Sequence, residues 1–446
     1  MAINLNFERM GIDIKGDKAA EIATPMPVCK NMIDLFDFTD SNKVWMDMYC
    51  KTGNTLEALK DRGVTVDNIV AICPSKQSQL FACRKLYGQL LPEETVKIEI
   101  RSLNNYIITR RGQVYWISNW KDIVKNSSQD AYNLIKIVMK SEMEKAMSKF
   151  EINNIVMNPP YNNDLYLDFV TLAHKIATDS VVAITPAKWQ TKGGDKNEQF
   201  RRNIVPYMSK VVYHPDCLDI FAIQESSGVC YYLVSSDKHD TCEVTNISAM
   251  KPIINSTESR SLVNEESLWN CGQDIVNKIK SSAGYKQYIL QEILDNKKYT
   301  VNLNKQITKA TGTSGCWDWE NSCIKDSWIG KGGVLFTEDG TIVLPNAKTI
   351  TDKYDNSSAT SINVFTSDSA DEIRSFLSWI NTKFIRFLLL INIGSLTMMN
   401  RQGWRFVPDP GSFDHTFTDQ ELYQKYNLTP DEINIIESVI KERKEK

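Results

Sequence analysis

The stretch Ile155-Val156-Met157-Asn158-Pro159-Pro160-Tyr161 joins a short apolar run to a rigid corner. Successive apolar residues are typical of a strand that is buried on both faces of a parallel sheet. Proline fixes φ and donates no backbone hydrogen bond, so the chain turns where this strand ends. The stretch therefore predicts a central strand of an α/β sheet that presents an amide, a backbone carbonyl and an aromatic ring at its carboxyl end.

Such a corner is suited to holding a planar amino group. The Asn158 side-chain oxygen and the Pro159 carbonyl can each accept one N–H hydrogen bond, and the Tyr161 ring can stack on the plane of the group. A conjugated amino nitrogen is a weak nucleophile, and two acceptors draw its lone pair out of conjugation. The corner predicts methyl transfer to nitrogen, although a Pro-Pro pair also serves simply to end a strand.

The flanking sequence alternates short apolar runs with helical patterns from about residue 31 to residue 234, as a parallel α/β sheet requires. Four further strands are predicted, over 43–46, 68–72, 180–185 and 228–234. Helices are predicted to start at Thr55 and to cover 75–87 and 165–176. From about Thr241 the pattern is less regular, which predicts a second domain.

Composition describes an ordinary globular protein. The 446 residues suggest two or three domains, with 42% hydrophobic and 24% charged residues and a net charge of -3. Ten cysteines without a Cys-x-x-Cys pair, and only four histidines, predict reduced thiols and no metal site. The sequence contains neither a secretory signal pattern nor a long apolar stretch, so we expect a cytoplasmic protein without a membrane span.

With these positions in view, the chain resembles the gamma-class S-adenosylmethionine-dependent N6-adenine DNA methyltransferases of restriction-modification systems. Their cofactor motifs come first, the catalytic corner next and the target-recognition domain last. The resemblance implies a Rossmann-like methyltransferase domain with a mixed, mainly parallel sheet over residues 1–240. An α+β target-recognition domain would follow over 241–414, and a helical tail over 415–446.

The resemblance also implies the site and its ligands. The cofactor would be S-adenosyl-L-methionine, and the substrate would be duplex DNA with its target adenine flipped out of the helix. Catalytic residues would be Asn158, Pro159, Pro160 and Tyr161, with Phe221 as a second ring against the base. Residues around the cofactor would be Thr24, Pro25, Asp47, Tyr49, Gly53, Asn119 and Phe169.

DNA contacts are predicted in the second half of the chain. Residues 374–408 contain five basic side chains and no Asp or Glu, interleaved with aromatic rings. Such a stretch can pair with phosphates and stack on bases, although it can equally be a packed helix with solvated charges. The candidate contacts here are Arg386, Asn400, Arg401, Gln402 and Arg405. A second, weaker cluster contains Lys297 and Lys298.

Three positions depart from the family pattern. Cys73 ends the second strand where an acidic residue is expected to bind the ribose, Asn119 stands in place of Asp, and Lys51 replaces a small residue. A methyltransferase fold that binds DNA without modifying it therefore stays open, as does methylation of RNA adenine or protein glutamine. A separate restriction endonuclease as partner also stays open. The chain has no Pro-Cys dipeptide, which excludes cytosine C5 methylation.

Overall fold

The computed structural model describes residues 22–40, 42–146, 151–191, 194–222, 227–263, 267–288, 370–392 and 405–442, and four two-residue strands between 317 and 343. Within these residues an eleven-stranded sheet has the order β11-β10-β8-β9-β7-β6-β1-β2-β5-β4-β3. Its strands are β1 (Trp45–Asp47), β2 (Ile69–Cys73), β3 (Glu94–Val96), β4 (Ile108–Arg111), β5 (Val114–Ile117), β6 (Asn154–Met157), β7 (Ser180–Pro186), β8 (Met208–His214), β9 (Val229–Ser235), β10 (Cys242–Asn246) and β11 (Ser256–Arg260). The short strands are β12 (Trp317–Asp318), β13 (Cys323–Ile324), β14 (Leu335–Phe336) and β15 (Ile342–Val343).

Helices cover both faces of the sheet and continue beyond its last strand. Seven of them precede β8 in the chain, namely α1 (Met26–Ile33), α2 (Asn54–Asp61), α3 (Lys76–Tyr87), α4 (Trp120–Asn126), α5 (Ser128–Ala146), α6 (Leu165–Ile176) and α7 (Asp195–Asn203). Those that follow the sheet are α8 (Asn270–Ser281), α9 (Ala370–Asn381), α10 (Lys383–Leu390), α11 (Asp419–Lys425) and α12 (Pro430–Val439). None of the described helices is long and apolar enough to cross a membrane.

The central strands are buried on both faces because each face has its own apolar core. In β2, Val70 and Ile72 join the core that contains α4 to α6, whereas Ile69 and Ala71 join the core that contains α1 to α3. β1 pairs in parallel with β2 and β6, and β6 pairs in parallel with β7. The carboxyl ends of these strands therefore meet at one edge of the sheet, where α/β proteins bind their ligands.

The predicted mixed sheet is confirmed by this pairing, but the sheet is mainly parallel only at its centre, because five of its ten neighbouring strand pairs are parallel and five are antiparallel. β9 is the antiparallel member of the central region, because it lies between β7 and β8 and runs opposite to both. The sheet continues past residue 240, since β10 pairs in parallel with β8 and β11 pairs antiparallel with β10. The predicted limit of the catalytic domain thus falls between two strands of a single sheet.

The C-terminal helices share one apolar core with the sheet edge. Residues 286–288 pair with residues 407–409, because Tyr288 N donates to Val407 O over 2.8 Å and Asp409 N donates to Lys286 O over 2.8 Å. The two tail helices, α11 and α12, pack against α10. The predicted tail over 415–446 is therefore part of this core as far as it is described, and the α+β character of the second domain stays a prediction.

Candidate active site

The site is assembled by two adjacent parallel strands. β1 and β6 pair directly, with Asp47 opposite Val156. The loop that follows β1 and the corner that follows β6 consequently lie side by side at the carboxyl edge. The sequence predicted the two segments separately, and the sheet brings them together.

Asn158 is the central side chain of this edge. It is only 7% exposed, and its Nδ2 donates to Thr24 Oγ1 over 2.9 Å and to Ile22 O over 3.2 Å. A backbone carbonyl can only accept, so this contact fixes which end of the amide faces Ile22. Asn158 Oδ1 then points the other way, where it is buried and has no hydrogen-bond partner among the described residues.

An unpaired acceptor of this kind costs free energy. Leaving a buried polar atom unsatisfied costs about 1–3 kcal/mol, and most buried polar groups in proteins are paired. The neighbouring Pro159 and Pro160 are buried, whereas the Tyr161 ring is partly exposed. The Tyr161 hydroxyl lies 3.3 Å from Ile184 O, at the end of β7. The corner can therefore offer an acceptor and an adjacent ring face to a planar donor.

The loop after β1 is held by its own carboxylate. Asp47 Oδ1 accepts from Tyr49 N over 3.0 Å, and Asp47 Oδ2 accepts from the Thr55 hydroxyl. Burial raises the pKa of Asp47 to about 6, although the hydrogen bond from Thr55 opposes the rise. Both oxygens are engaged inside the loop, so Asp47 shapes this loop rather than leaving a carboxylate open. We call residues 48–53 the cofactor loop after the role that the sequence predicts for them, and that role stays a prediction.

Gly53 lets this loop pass into α2. Its φ is +78°, and a Cβ at this position would lie 3.0 Å from Lys85 Cβ and 3.2 Å from Ala82 Cα. The loop is also tied to α4, because Trp120 Nε1 donates to Met48 O over 3.0 Å. Sequence patterns did not indicate this role of Trp120, since the contact joins residues far apart in the chain.

Tyr49 and Phe169 form part of the core beneath the loop. The Phe169 ring is completely buried and packs edge-on against Tyr49, with 5.3 Å between ring centroids. It packs in the same way against Trp120 at 6.1 Å. Phe169 thus supports Tyr49 from below, and the predicted role of both residues in cofactor binding stays a prediction.

A short segment before α1 crosses this edge, and we call residues 22–25 the strap. Thr24 O accepts from Asn54 Nδ2 over 2.9 Å, and Ile22 O accepts from Lys51 Nζ over 3.0 Å. Thr24 is buried, and Pro25 directly precedes α1. The strap therefore connects the cofactor loop with Asn158. No sequence pattern indicates the contact at Ile22, because the atom involved belongs to the backbone.

The carboxyl ends of β2 and β5 lie farther along the same edge. Cys73 ends β2 as a completely buried residue of the apolar core. Asn119 follows β5, is exposed and adopts a left-handed backbone with φ of +55°. Asn119 can face a ligand at this position, whereas Cys73 offers no carboxylate. The predicted place of Asn119 around the cofactor stays a prediction.

Phe221 is only 3% exposed and belongs to the apolar core that contains α1 to α3. Its backbone N donates to Cys217 O over 2.8 Å, which closes a short turn after β8. In this position the ring packs within the protein. Its predicted role against a flipped base stays a prediction.

The predicted DNA contacts separate into three groups. Arg386 is 3% exposed and its Nη2 donates to Lys441 O over 2.7 Å, just beyond α12, so it is not open to a phosphate. Arg405 is partly exposed, and its charge adds to burial in lowering the pKa of Arg201, which places it near α7. The remaining candidates lie outside the described residues, namely Lys297, Lys298, Asn400, Arg401 and Gln402.

No protein-family model matches the chain, and the search of curated proteins found no match. Among solved structures, a type I restriction-modification methyltransferase subunit from Streptococcus thermophilus is 14% identical, with a TM-score of 0.34 over 52% of this chain and 48% of that one. The type ISP restriction-modification enzyme LlaBIII bound to DNA is 12% identical, with a TM-score of 0.33 over 51% of this chain and 20% of that one.

The type IIG restriction endonuclease BpuSI is 12% identical, with a TM-score of 0.40 over 94% of this chain and 62% of that one. The chain thus spans less than two thirds of the length of each of these three proteins. Similarity at this level assigns no activity.

Proposed function

We propose that this protein transfers a methyl group from S-adenosyl-L-methionine to the N6 amino group of adenine in duplex DNA. One observation carries the proposal, namely the buried Oδ1 of Asn158 at the carboxyl end of a central strand, which has no hydrogen-bond partner in the part of the chain that the structure describes. An acceptor in this position is suited to an N–H donor that arrives with the substrate. An exocyclic amino group on a flat base fits the corner, because the amino group can donate to Asn158 Oδ1 and the base can lie against the partly exposed Tyr161 ring.

The mechanism follows from the orientation of the amide. Asn158 Oδ1 accepts one amino hydrogen and the Pro159 carbonyl accepts the other, which directs the nitrogen lone pair out of the plane of the base. The Tyr161 ring stacks on the base and offsets part of the cost of extruding it, which is a few kcal/mol. S-adenosyl-L-methionine supplies the electrophilic methyl group. The sulfur of the donor would keep the electron pair of the broken S–C bond, and the methylated nitrogen would release one proton to solvent.

The residues around the cofactor loop fit the methionine end of this cofactor. The strap, Tyr49 and the glycine turn at Gly53 enclose the edge beside Asn158, and Asp47 holds the loop in shape. The ribose end has less support, because Cys73 is buried and apolar. A missing ribose contact would weaken binding by about 1–3 kcal/mol. We therefore propose weak but productive cofactor binding.

DNA is the favoured substrate because the chain carries a large region beyond the catalytic domain. Among the described residues, Arg405 is the candidate for a phosphate contact. The predicted DNA contacts that lie outside the described residues remain part of the proposal, namely Lys297, Lys298, Asn400, Arg401 and Gln402. RNA adenine and protein glutamine present similar amino groups to the same corner. A separate restriction endonuclease and a cytoplasmic location remain part of the proposal.

The decisive experiment maps N6-methyladenine in DNA from cells that express the protein or Asn158→Ala. Removal of the orienting acceptor should lower turnover by about two to three orders of magnitude, while cofactor and DNA binding persist. Asn153→Ala is a matched control, because Asn153 lies at the opposite end of β6 and accepts from Val44 N over 2.9 Å. More than a tenth of wild-type turnover in Asn158→Ala would contradict the proposal.

A second candidate is a DNA-binding protein with the same fold and no activity. The apolar burial of Cys73, where a ribose contact is expected, favours it. Calorimetry with S-adenosyl-L-methionine distinguishes the two. Absence of binding by the wild type, together with tight and specific DNA binding, would support this second function.

A further inference from the structure

Lys51 is the residue of the cofactor loop that departs from the family pattern, and the structure shows what it contacts. Its side chain is only 7% exposed, and its Nζ donates to Ile22 O over 3.0 Å and lies over the Tyr49 ring, 5.5 Å from the ring centroid. The same oxygen accepts from Asn158 Nδ2 over 3.2 Å. One backbone carbonyl therefore receives a hydrogen bond from the cofactor loop and another from the catalytic corner.

This carbonyl controls the orientation of the Asn158 amide. If the amide were rotated by half a turn, Oδ1 would face Ile22 O and Thr24 Oγ1, and Nδ2 would face the substrate. Two carbonyl oxygens repel each other, and the amide N–H would then meet the N–H of the substrate. Only the observed orientation presents an acceptor to an amino group.

The strap is fixed from the loop side by two separate contacts. Lys51 reaches Ile22 O, and Asn54 Nδ2 donates to Thr24 O over 2.9 Å. A small residue at position 51 would lack the first contact, because it could not reach the strap. The longer side chain thus provides a connection between the cofactor loop and the atom that orients Asn158.

We infer that Lys51 is a positioning residue, which holds the strap so that Asn158 presents its oxygen to the substrate amino group. This inference rests on the proposed methyl transfer. Lys51 acts through Ile22 O and does not touch the reacting atoms. Its loss should therefore lower kcat and leave the dissociation constants of S-adenosyl-L-methionine and duplex DNA nearly unchanged.

The test compares Lys51→Met with Lys51→Arg, which can still donate to Ile22 O. Loss of a hydrogen bond from a charged donor predicts a fall in kcat of about ten- to a hundredfold in Lys51→Met, and recovery in Lys51→Arg. Lys60→Met is the matched control, because Lys60 Nζ donates to the carbonyls of Lys85 and Leu86 over 3.1 Å and 3.0 Å, away from the strap. The control should keep the wild-type kcat.

A second readout does not depend on activity. Hydrogen exchange of the amides in residues 22–33 should be faster in Lys51→Met than in the wild type, Lys51→Arg and Lys60→Met. Thr24→Val offers an independent variant, because it removes the acceptor for Asn158 Nδ2 at nearly constant volume and should also lower kcat, whereas Thr24→Ser should retain it.

The outcomes distinguish failure of the positioning role of Lys51 from failure of the proposed methyl transfer. An active wild type with unchanged kcat and unchanged exchange in Lys51→Met would overturn the role of Lys51 and leave the methyltransferase assignment intact. A parallel rise in the dissociation constant of S-adenosyl-L-methionine would also overturn it, because Lys51 would then be a binding residue. A wild type that methylates no adenine would overturn the proposed function itself, whatever the exchange data show.

Discussion

At the scale of single residues, Gly53 carries a double constraint. Its backbone is left-handed, with φ of +78°, and a Cβ would meet Lys85 Cβ at 3.0 Å and Ala82 Cα at 3.2 Å. Backbone strain and steric contact therefore act together at one position of the cofactor loop. Glycine is required here both by the turn and by the packing of α2 against α3.

Gly53→Ala should lower the free energy of unfolding by about 2–3 kcal/mol, because it adds contact with α3 to the strain of a positive φ. Gly63→Ala separates these effects. Gly63 has φ of +90°, but a Cβ there would meet no atom of the described residues within 4 Å, so only the strain of about 1 kcal/mol applies. Urea denaturation of both variants measures the difference. An equal loss of unfolding free energy in Gly53→Ala and Gly63→Ala would contradict a steric contribution at Gly53.

Asp47 is a buried carboxylate whose pKa is raised from 3.8 to about 6, first of all by burial. The folded state therefore holds this proton more tightly than the unfolded state. Stability from this group is fully present below about pH 4 and is lost as the pH rises through about 6. The shift corresponds to a free energy on the order of 3 kcal/mol.

Asp47→Asn removes the buried charge and should make the protein more stable than the wild type at pH 7. Its advantage in unfolding free energy should grow by roughly 1 kcal/mol between about pH 5 and pH 7.5, since the wild type loses stability over this range. Urea denaturation at several pH values measures this. An advantage that shrinks as the pH rises would show that the pKa of Asp47 is lowered instead.

At the scale of elements, the acid-free stretch over 374–408 was a plausible DNA surface in the sequence. In the structure, the basic and aromatic residues of α10 are buried together, and Arg386 holds the carbonyl that follows α12. A local count of charges cannot reveal this, because the partner lies more than fifty residues away in the chain. Arg405, outside a helix, remains partly exposed.

Arg386 and Arg405 should therefore behave differently when each is replaced. Arg386→Met should lower the free energy of unfolding by about 1.5–3 kcal/mol, through the lost hydrogen bond to Lys441 O, and leave the salt dependence of DNA binding unchanged. Arg405→Ala should reduce the slope of log affinity against log salt by about 0.9, the effect of one phosphate contact. Denaturation and DNA titrations at several salt concentrations measure both. A changed slope in Arg386→Met would return this residue to the DNA surface.

The helices and strands of the first half were largely predictable. The predicted strand over 68–72 corresponds to β2, the predicted helix over 75–87 to α3, and the strand over 180–185 to β7. These elements carry continuous apolar runs or a clear helical period. β10 was missed because only one of its faces is apolar and its sequence, Cys-Glu-Val-Thr-Asn, is short and polar.

The candidate site was predictable only in part. Local sequence predicts Asn158 and the loop around Asp47 as site candidates, and the pairing of β1 with β6 explains why they lie close together. The contacts of Lys51 and Asn158 with Ile22 join residues up to 136 positions apart. No local pattern predicts contacts of this kind, because they depend on where the strap crosses the sheet.

At the scale of the whole molecule, the sheet and the C-terminal helices depend on one another. A fragment that ends at residue 240 would lack β10 and expose the edge of β8. An exposed strand edge promotes aggregation. We therefore expect this fragment to aggregate or to unfold without cooperativity. Size-exclusion chromatography and thermal denaturation test this, and a monomeric fragment with the midpoint of the full chain would contradict it.

The strap has a consequence for how the protein tolerates change. The oxygen that orients Asn158 belongs to the main chain at position 22, and every amino acid supplies the same oxygen. Apolar replacements of Ile22 should therefore be silent in a saturation mutagenesis screen, whereas replacements of Lys51 and Thr24 are not. As descendants of this chain diverge, the residue at position 22 can change among apolar amino acids while its backbone oxygen keeps its place. A comparison of side chains alone would overlook this contact with Asn158.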